Sequence, residues 1–117
     1  MKIGYIIAGI VIALVVFKMF TGGSLMADKN EIKERIKNGA LVVDVRTQGE
    51  FSGGHYEGAL NIPVDEVQRR ISEFGNNKDR DIIVYCRSGG RAGSAKQMLE
   101  SAGFKKVSNA GGLTDMP

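Results

Sequence analysis

The feature that most constrains this chain is a series of short apolar runs separated by segments with helical periodicity. The clearest runs are "LVVDV" at 41–45 and "DIIVYC" at 81–86. Apolar runs of this length, without regular polar alternation, are typical of strands that are buried on both faces of a sheet. Two shorter runs, "ALNI" at 59–62 and "KKVSNA" at 105–110, are predicted to be further strands.

Segments with helical signals lie between these runs. "DKNEIKERIKNG" at 28–39 starts with Asp28 and has Glu31 three residues later, which is the spacing of a capping box. "DEVQRRISEF" at 65–74 and "RAGSAKQMLESAG" at 91–103 repeat apolar residues at helical spacing. Strands and helices in alternation predict an α/β fold, in which a small parallel sheet has helices on both faces.

The charge distribution predicts no nucleic-acid partner. The chain of 117 residues has 16 Lys and Arg, 13 Asp and Glu, and a net charge of +3. Only Lys2 and Lys18 precede position 27, so the remainder carries 14 basic residues (16 − 2) against all 13 acidic ones. Such a mixed-sign surface lacks the basic patch that binds a polyanion.

The N-terminal segment is a separate unit. "IGYIIAGIVIALVVF" at 3–17 contains no charged residue, and Lys18 is followed by two more apolar residues. Residues 3–20 are long enough for a short membrane span, with the Lys18 stem reaching the lipid interface. We therefore expect a single-pass N-terminal anchor in the cell membrane. The side of the membrane that the domain faces is left open.

A cleaved secretory signal, followed by export to the periplasm, is the alternative for this segment. The apolar run has the maximum length of a signal peptide's core. Cleavage after Ala27 would place Leu25 where a small residue is preferred, which favours the anchor. In this interpretation residues 1–20 are the anchor or signal, 21–27 a linker, and 28–117 a single domain.

The stretch "YCRSGGRAGS" at 85–94 holds the only cysteine of the chain. Cys86 ends a predicted strand, and the glycines after it lead directly into a predicted helix. Backbone N–H groups of such a loop and a helix N-terminus favour negative charge and lower the pKa of a thiol. A lone cysteine at a strand end is usually a small buried apolar residue, but the glycines, Arg87 and Arg91 favour a reactive thiol with an anionic substrate.

Three other residues are candidates for the site. Asp44 and Arg46 follow the first strand at the same edge of the sheet, and we interpret them as an ion pair that ties two loops together. His55, in "FSGGHYEGA", is expected to have a surface or loop-packing role. One cysteine and one histidine are too few ligands for a zinc or iron–sulfur site, so no metal is expected, and the oligomeric state is not predicted.

Several motifs in order resemble those of a single-domain rhodanese, a sulfurtransferase. They are "DVRTQGEFSGGHYEGALNIP" at 44–63, "YCRSGGRAGSAKQMLESAGF" at 85–104 and "NAGGL" at 109–113. The resemblance spans residues 28–115. The chain departs from it at Ala92, where many members have serine, so a hydroxyl contact near the loop is missing.

The resemblance implies a five-stranded parallel sheet flanked by helices, with Cys86 as the nucleophile. Residues 86–91 would form the active-site loop. Its substrate-binding residues would be Arg87, Ser88, Gly89, Gly90 and Arg91, with Asp44 and Arg46 in support. The implied reaction moves sulfane sulfur from a small anionic donor such as thiosulfate to cyanide or a thiol, through a persulfide on Cys86. It needs no external cofactor.

Two other functions are compatible with a domain of this kind. Cysteine-dependent phosphatases and arsenate reductases of related fold use a loop with five residues between cysteine and arginine. Four residues lie between Cys86 and Arg91, which gives less room for a tetrahedral phosphate. A non-catalytic binding module is the second alternative, although such modules commonly lose the cysteine that this chain retains.

Overall fold

The computed structural model describes residues 27–117. The predicted anchor or signal at 1–20 and almost all of the predicted linker lie outside this range. Within the described range, no helix combines the length and apolar character needed to cross a membrane.

Four parallel strands form one sheet in the order β2-β1-β3-β4. Their bounds are β1 Leu41–Asp44, β2 Leu60–Asn61, β3 Asp81–Cys86 and β4 Lys106–Gly112. The prediction of a parallel sheet flanked by helices is therefore confirmed. The fifth strand implied by the family resemblance is not among residues 27–117, although the Ala27 N–H donates to the Asn109 carbonyl at 3.0 Å, beside β4.

Helices cover both faces of the sheet. The α-helices are α1 Lys29–Lys37, α2 Gln48–Ser52 and α3 Gly90–Ser101, and the 3₁₀ turns are Val64–Glu66, Ile71–Phe74 and Leu113–Asp115. On one face, α3 and the first two 3₁₀ turns pack against a core that includes Val43, Val84, Phe74 and Leu99. On the other face, α1 packs through Ile32 against Val42, Ile83 and Tyr85.

Two local predictions were wrong. Residues 65–74 do not form one α-helix but parts of two 3₁₀ turns. Along this path Val67 and Phe74 are completely buried in the core, while Arg69 and Glu73 stay exposed. Asp28 does lie at the N-cap of α1, but its side chain makes no capping hydrogen bond. The capping box forms at α2 instead, between Thr47 and Glu50.

The end of β4 is shaped to lie against the loop that follows β3. In register, Val84 pairs with Asn109 but Cys86 pairs with Gly112, so β4 contains one extra residue at a bulge. A side chain at Gly112 would collide with the carbonyl oxygen of Arg87. Glycine therefore lets β4 pass directly beneath the loop.

Candidate active site

Cys86 lies at the carboxyl end of β3, the edge where open parallel sheets usually place their sites. Its side chain is only 1% exposed. The chain then turns sharply through Gly89, whose φ of 98° is in the left-handed region that favours glycine. This turn brings the Gly89 N–H to 2.9 Å from the Cys86 sulfur, to which it donates a hydrogen bond.

The loop around the sulfur favours a thiolate. Burial alone raises the pKa of the Cys86 thiol, but backbone N–H groups that point at the sulfur outweigh it and lower the pKa below its ordinary value. These N–H groups belong to Ala92, Ser88, Gly89 and Arg91. The N-terminus of the 12-residue α3 begins within this loop and adds its positive partial charge.

Arg91 is held by an ion pair with α2. Its guanidinium donates to both carboxylate oxygens of Glu50, at 2.6 and 3.0 Å. These bonds, followed by the backbone N–H of Thr47, lower the pKa of Glu50 to about 2. The charge of Arg91 is therefore already neutralised, and its side chain joins the active-site loop to α2.

Arg87 is placed differently. It is exposed and lines a cleft of about 420 Å³ together with Arg46, Leu113 and Thr114. Among residues 27–117, its guanidinium has no ion-pair partner. Arg87 therefore presents a positive charge at the wall of this cleft, one position after Cys86 in the sequence.

Asp44 and Arg46 form a buried ion pair at the end of β1. Arg46 donates to the Asp44 carboxylate from its backbone N–H at 2.9 Å and from Nε and Nη2 at 2.7 to 3.0 Å. Nη2 also donates to the Gly54 carbonyl at 2.7 Å, which ties the loop after α2 to the sheet. The ion pair and its bond to Gly54 agree with the interpretation of a pair that ties two loops together. Arg46 also contributes to the cleft wall.

Tyr85 completes this buried network, and sequence reasoning missed it. Its hydroxyl donates to Asp44 at 2.9 Å and accepts the Tyr56 N–H at 2.9 Å. Burial, more than the neighbouring Asp44 carboxylate, raises the pKa of Tyr85 to about 12, so it stays a hydrogen-bond donor at neutral pH. The signal was present, because a tyrosine inside an apolar strand needs a partner for its hydroxyl.

Other contacts account for the remaining residues near the loop. The Asn109 side chain donates to the Gly89 carbonyl at 2.9 Å, a contact that no sequence signal indicated.

The sequence could have identified Glu50 only as a helix-capping residue, from its spacing to Thr47. His55 is exposed, stacks on the Phe51 ring at 3.6 Å and bonds to the Phe51 carbonyl at 2.8 Å, which agrees with a loop-packing role.

A thiol with a lowered pKa, surrounded by backbone N–H groups at the edge of a small parallel sheet, is typical of cysteine-dependent transferase or hydrolase domains. Within that class, one family matches this chain. Residues 28–115 match the family model of the rhodanese-like domain, and the chain belongs to this family.

The similar proteins narrow the chemistry further. The chain is 40% identical over 74 residues to thiosulfate sulfurtransferase PspE of Escherichia coli, which covers 63% of this chain and 71% of that protein. It is 39% identical over 98 residues to thiosulfate sulfurtransferase 18 of Arabidopsis thaliana, covering 73% and 71% respectively. A solved rhodanese with anions from E. coli matches at 40% identity with a TM-score of 0.62, covering 67% of this chain and 94% of that one. These relatives support a rhodanese-type sulfurtransferase.

Proposed function

We propose that this protein transfers sulfane sulfur as a persulfide carried on Cys86. The observation that carries the proposal is the hydrogen bond of 2.9 Å from the Gly89 N–H to the Cys86 sulfur, within a loop whose N–H groups lower the thiol pKa. A site of this kind stabilises a negatively charged sulfur, which is what both the thiolate and the terminal sulfur of a persulfide require.

In the first step, the Cys86 thiolate attacks the outer sulfur of an anionic donor such as thiosulfate. A sulfur–sulfur bond forms to Cys86 as the donor's own sulfur–sulfur bond breaks, and sulfite leaves with the electron pair. The negative charge of the new persulfide lies on its terminal sulfur. Arg87 attracts the donor, and the loop N–H groups that point at the sulfur, those of Ser88, Gly89, Arg91 and Ala92, stabilise the charge as it moves.

In the second step, a nucleophilic acceptor takes the terminal sulfur and the electron pair of the broken bond returns to Cys86 as a thiolate. Cyanide becomes thiocyanate, and a thiol becomes a persulfide. Because the chain has a single cysteine, the acceptor must come from another molecule. We propose that the acceptor approaches through the cleft that Arg46 lines, with Asp44 holding Arg46 in place.

The proposal includes a location at a membrane. Residues 3–20 would anchor the domain there, because the uncharged run at 3–17 has the length of a short span. This segment lies outside the described residues, so the proposal rests on its composition alone.

Mass spectrometry of the intact protein after incubation with thiosulfate tests the chemistry. We expect a gain of about 32 Da, the mass of one sulfur, which a thiol reductant removes, as covalent catalysis requires. Cys86→Ser is the matched control and should show no gain. Wild-type protein without an adduct, or a Cys86→Ser variant that gains the same mass, would contradict the proposal.

A further inference from the structure

We propose that Asn109 is a positioning residue for the active-site loop: its side-chain amide holds the Gly89 carbonyl, and so aims the Gly89 N–H at the Cys86 sulfur. The inference rests on the proposed function in treating this loop as the site of sulfur transfer. It adds a residue on β4, outside the loop and outside the cleft, to the groups that prepare the thiol.

Gly89 is held at both of its backbone groups. Its N–H donates to the Cys86 sulfur at 2.9 Å. Its carbonyl accepts two hydrogen bonds, from the Asn109 Nδ2 at 2.9 Å and from the Gly93 N–H at 2.9 Å. The bond from Gly93 belongs to the first turn of α3. The bond from Asn109 therefore is the one that joins this carbonyl to the sheet.

Such a restraint is needed because Gly89 has no side chain of its own to fix its orientation. Glycine populates many backbone conformations at similar energy, and here it adopts a φ of 98°. The N–H and the carbonyl of Gly89 belong to adjacent peptide groups, so rotation about the φ and ψ bonds of Gly89 would turn the N–H away from the sulfur unless the carbonyl is also held. A hydrogen bond from a rigid strand restricts these rotations before any donor binds.

The fold places Asn109 where it can act. Asn109 pairs in register with Val84, two residues before the nucleophile, and the bulge follows it directly. Its Oδ1 accepts the Gly111 N–H at 2.8 Å, so both ends of the side-chain amide are bonded. The side chain is 8% exposed and lies against Gly93, where an added Cβ would be 3.6 Å from Nδ2. The amide is therefore held in one orientation.

A thiolate titration tests the inference. Because Cys86 is the only cysteine, the ultraviolet absorbance of thiolate against pH reports this residue alone. In Asn109→Leu, which has a similar size but no donor, we expect the pKa of Cys86 to move up towards that of an ordinary thiol. The thiolate fraction at neutral pH should fall about two- to tenfold, the factor that one hydrogen bond is worth.

The controls separate positioning from general destabilisation. Asn77→Leu makes the same chemical change at an exposed turn and should titrate like the wild type. Asn109→Thr is a second variant for the case in which leucine does not fold, since threonine suits a strand but its hydroxyl is one bond shorter than the amide. The charged groups near the thiol (Arg87, and the Arg91–Glu50 and Arg46–Asp44 pairs) are unchanged in every variant.

A merely structural role would lower the thermal unfolding temperature without moving the thiol titration. If the folded Asn109 variants titrate like the wild type, the inference is overturned. The titration uses no sulfur donor, so its result stands even if the wild type forms no persulfide, which would refute the proposed function alone. In active protein, we expect kcat for thiosulfate to fall in step with the thiolate fraction, with KM little changed.

Discussion

Arg87 and Arg91, which follow Cys86 by one and five positions, make different contacts. Arg87 is exposed at the cleft, without an ion-pair partner among residues 27–117. Arg91 forms a two-bond ion pair with Glu50. Arg91 was predicted to bind the donor, and this stays a prediction. Because its guanidinium is paired with Glu50, we propose that Arg91 acts through the active-site loop, to which it contributes a backbone N–H group at the Cys86 sulfur.

Substitution of each arginine by glutamine should separate these roles. We expect Arg87→Gln to raise KM for thiosulfate about tenfold with little effect on unfolding, since the lost interaction is a charge-assisted contact with the donor. Arg91→Gln should lower kcat and stability together, because Glu50 and the loop lose their connection. Steady-state kinetics and thermal unfolding measure both. The reverse assignment, with KM affected only in Arg91→Gln, would contradict this division.

Sequence alone identified the residues next to Cys86 along the chain, together with Asp44 and Arg46 at the end of the first strand. A strand end, glycines and a helix start are local signals, and they predicted the loop and its low thiol pKa. Glu50 and Tyr85 carry local signals, a capping position and a hydroxyl in an apolar strand, but these signals do not identify the partner that each residue meets across 41 positions of sequence. Asn109 contacts the loop across 20 positions, through a bulge that no local pattern specifies.

At the scale of elements, the end of β1 depends on a buried ion pair. Asp44 is fully buried and accepts hydrogen bonds from Arg46 and Tyr85. Asp44→Ala should lower the free energy of unfolding by about 3–5 kcal/mol, because it leaves the Arg46 charge buried without its partner. Urea denaturation measures the loss. Asp65→Ala, at a position outside this network, is the control, and an equal loss in both variants would argue against a special role for the pair.

The connection between α2 and the active-site loop should weaken in acid. The pKa of Glu50 falls from 4.5 to about 2 in the folded protein, chiefly through Arg91. A carboxylate with a lowered pKa stabilises the fold fully above pH 4.5, and this contribution is lost as the pH falls towards 2. We expect Glu50→Gln to remove part of the acid dependence of unfolding over this range. Parallel curves for wild type and variant would contradict the expectation.

Prediction was most accurate where burial alone determines an element. The bounds of β3 agree with the predicted run at 81–86, since a central parallel strand is apolar on both faces. The prediction of one α-helix at 65–74 was wrong. The spacing of Val67, Ile71 and Phe74 is compatible with an α-helix and also with two 3₁₀ turns. In that segment, packing of the side chains against the core decides between the two backbone paths.

At the scale of the whole molecule, sulfur transfer by the domain and membrane anchoring by the N-terminal segment are independent proposals. If residues 3–20 anchor the domain, full-length protein should stay in membranes washed with alkaline carbonate, since an apolar span inserts stably. The matched control lacks residues 1–20 and should be released. Release of the full chain at a shorter mass would support the cleaved signal instead.

The central claim is that one cysteine accepts a sulfur and passes it on. A single-turnover experiment tests it most directly: protein loaded with thiosulfate is freed of excess donor and mixed with cyanide. We predict one thiocyanate per chain, with complete loss of the persulfide mass from Cys86 and recovery of the free thiol, as a covalent carrier requires. Persulfide that forms but does not transfer to cyanide or to any added thiol would contradict the account.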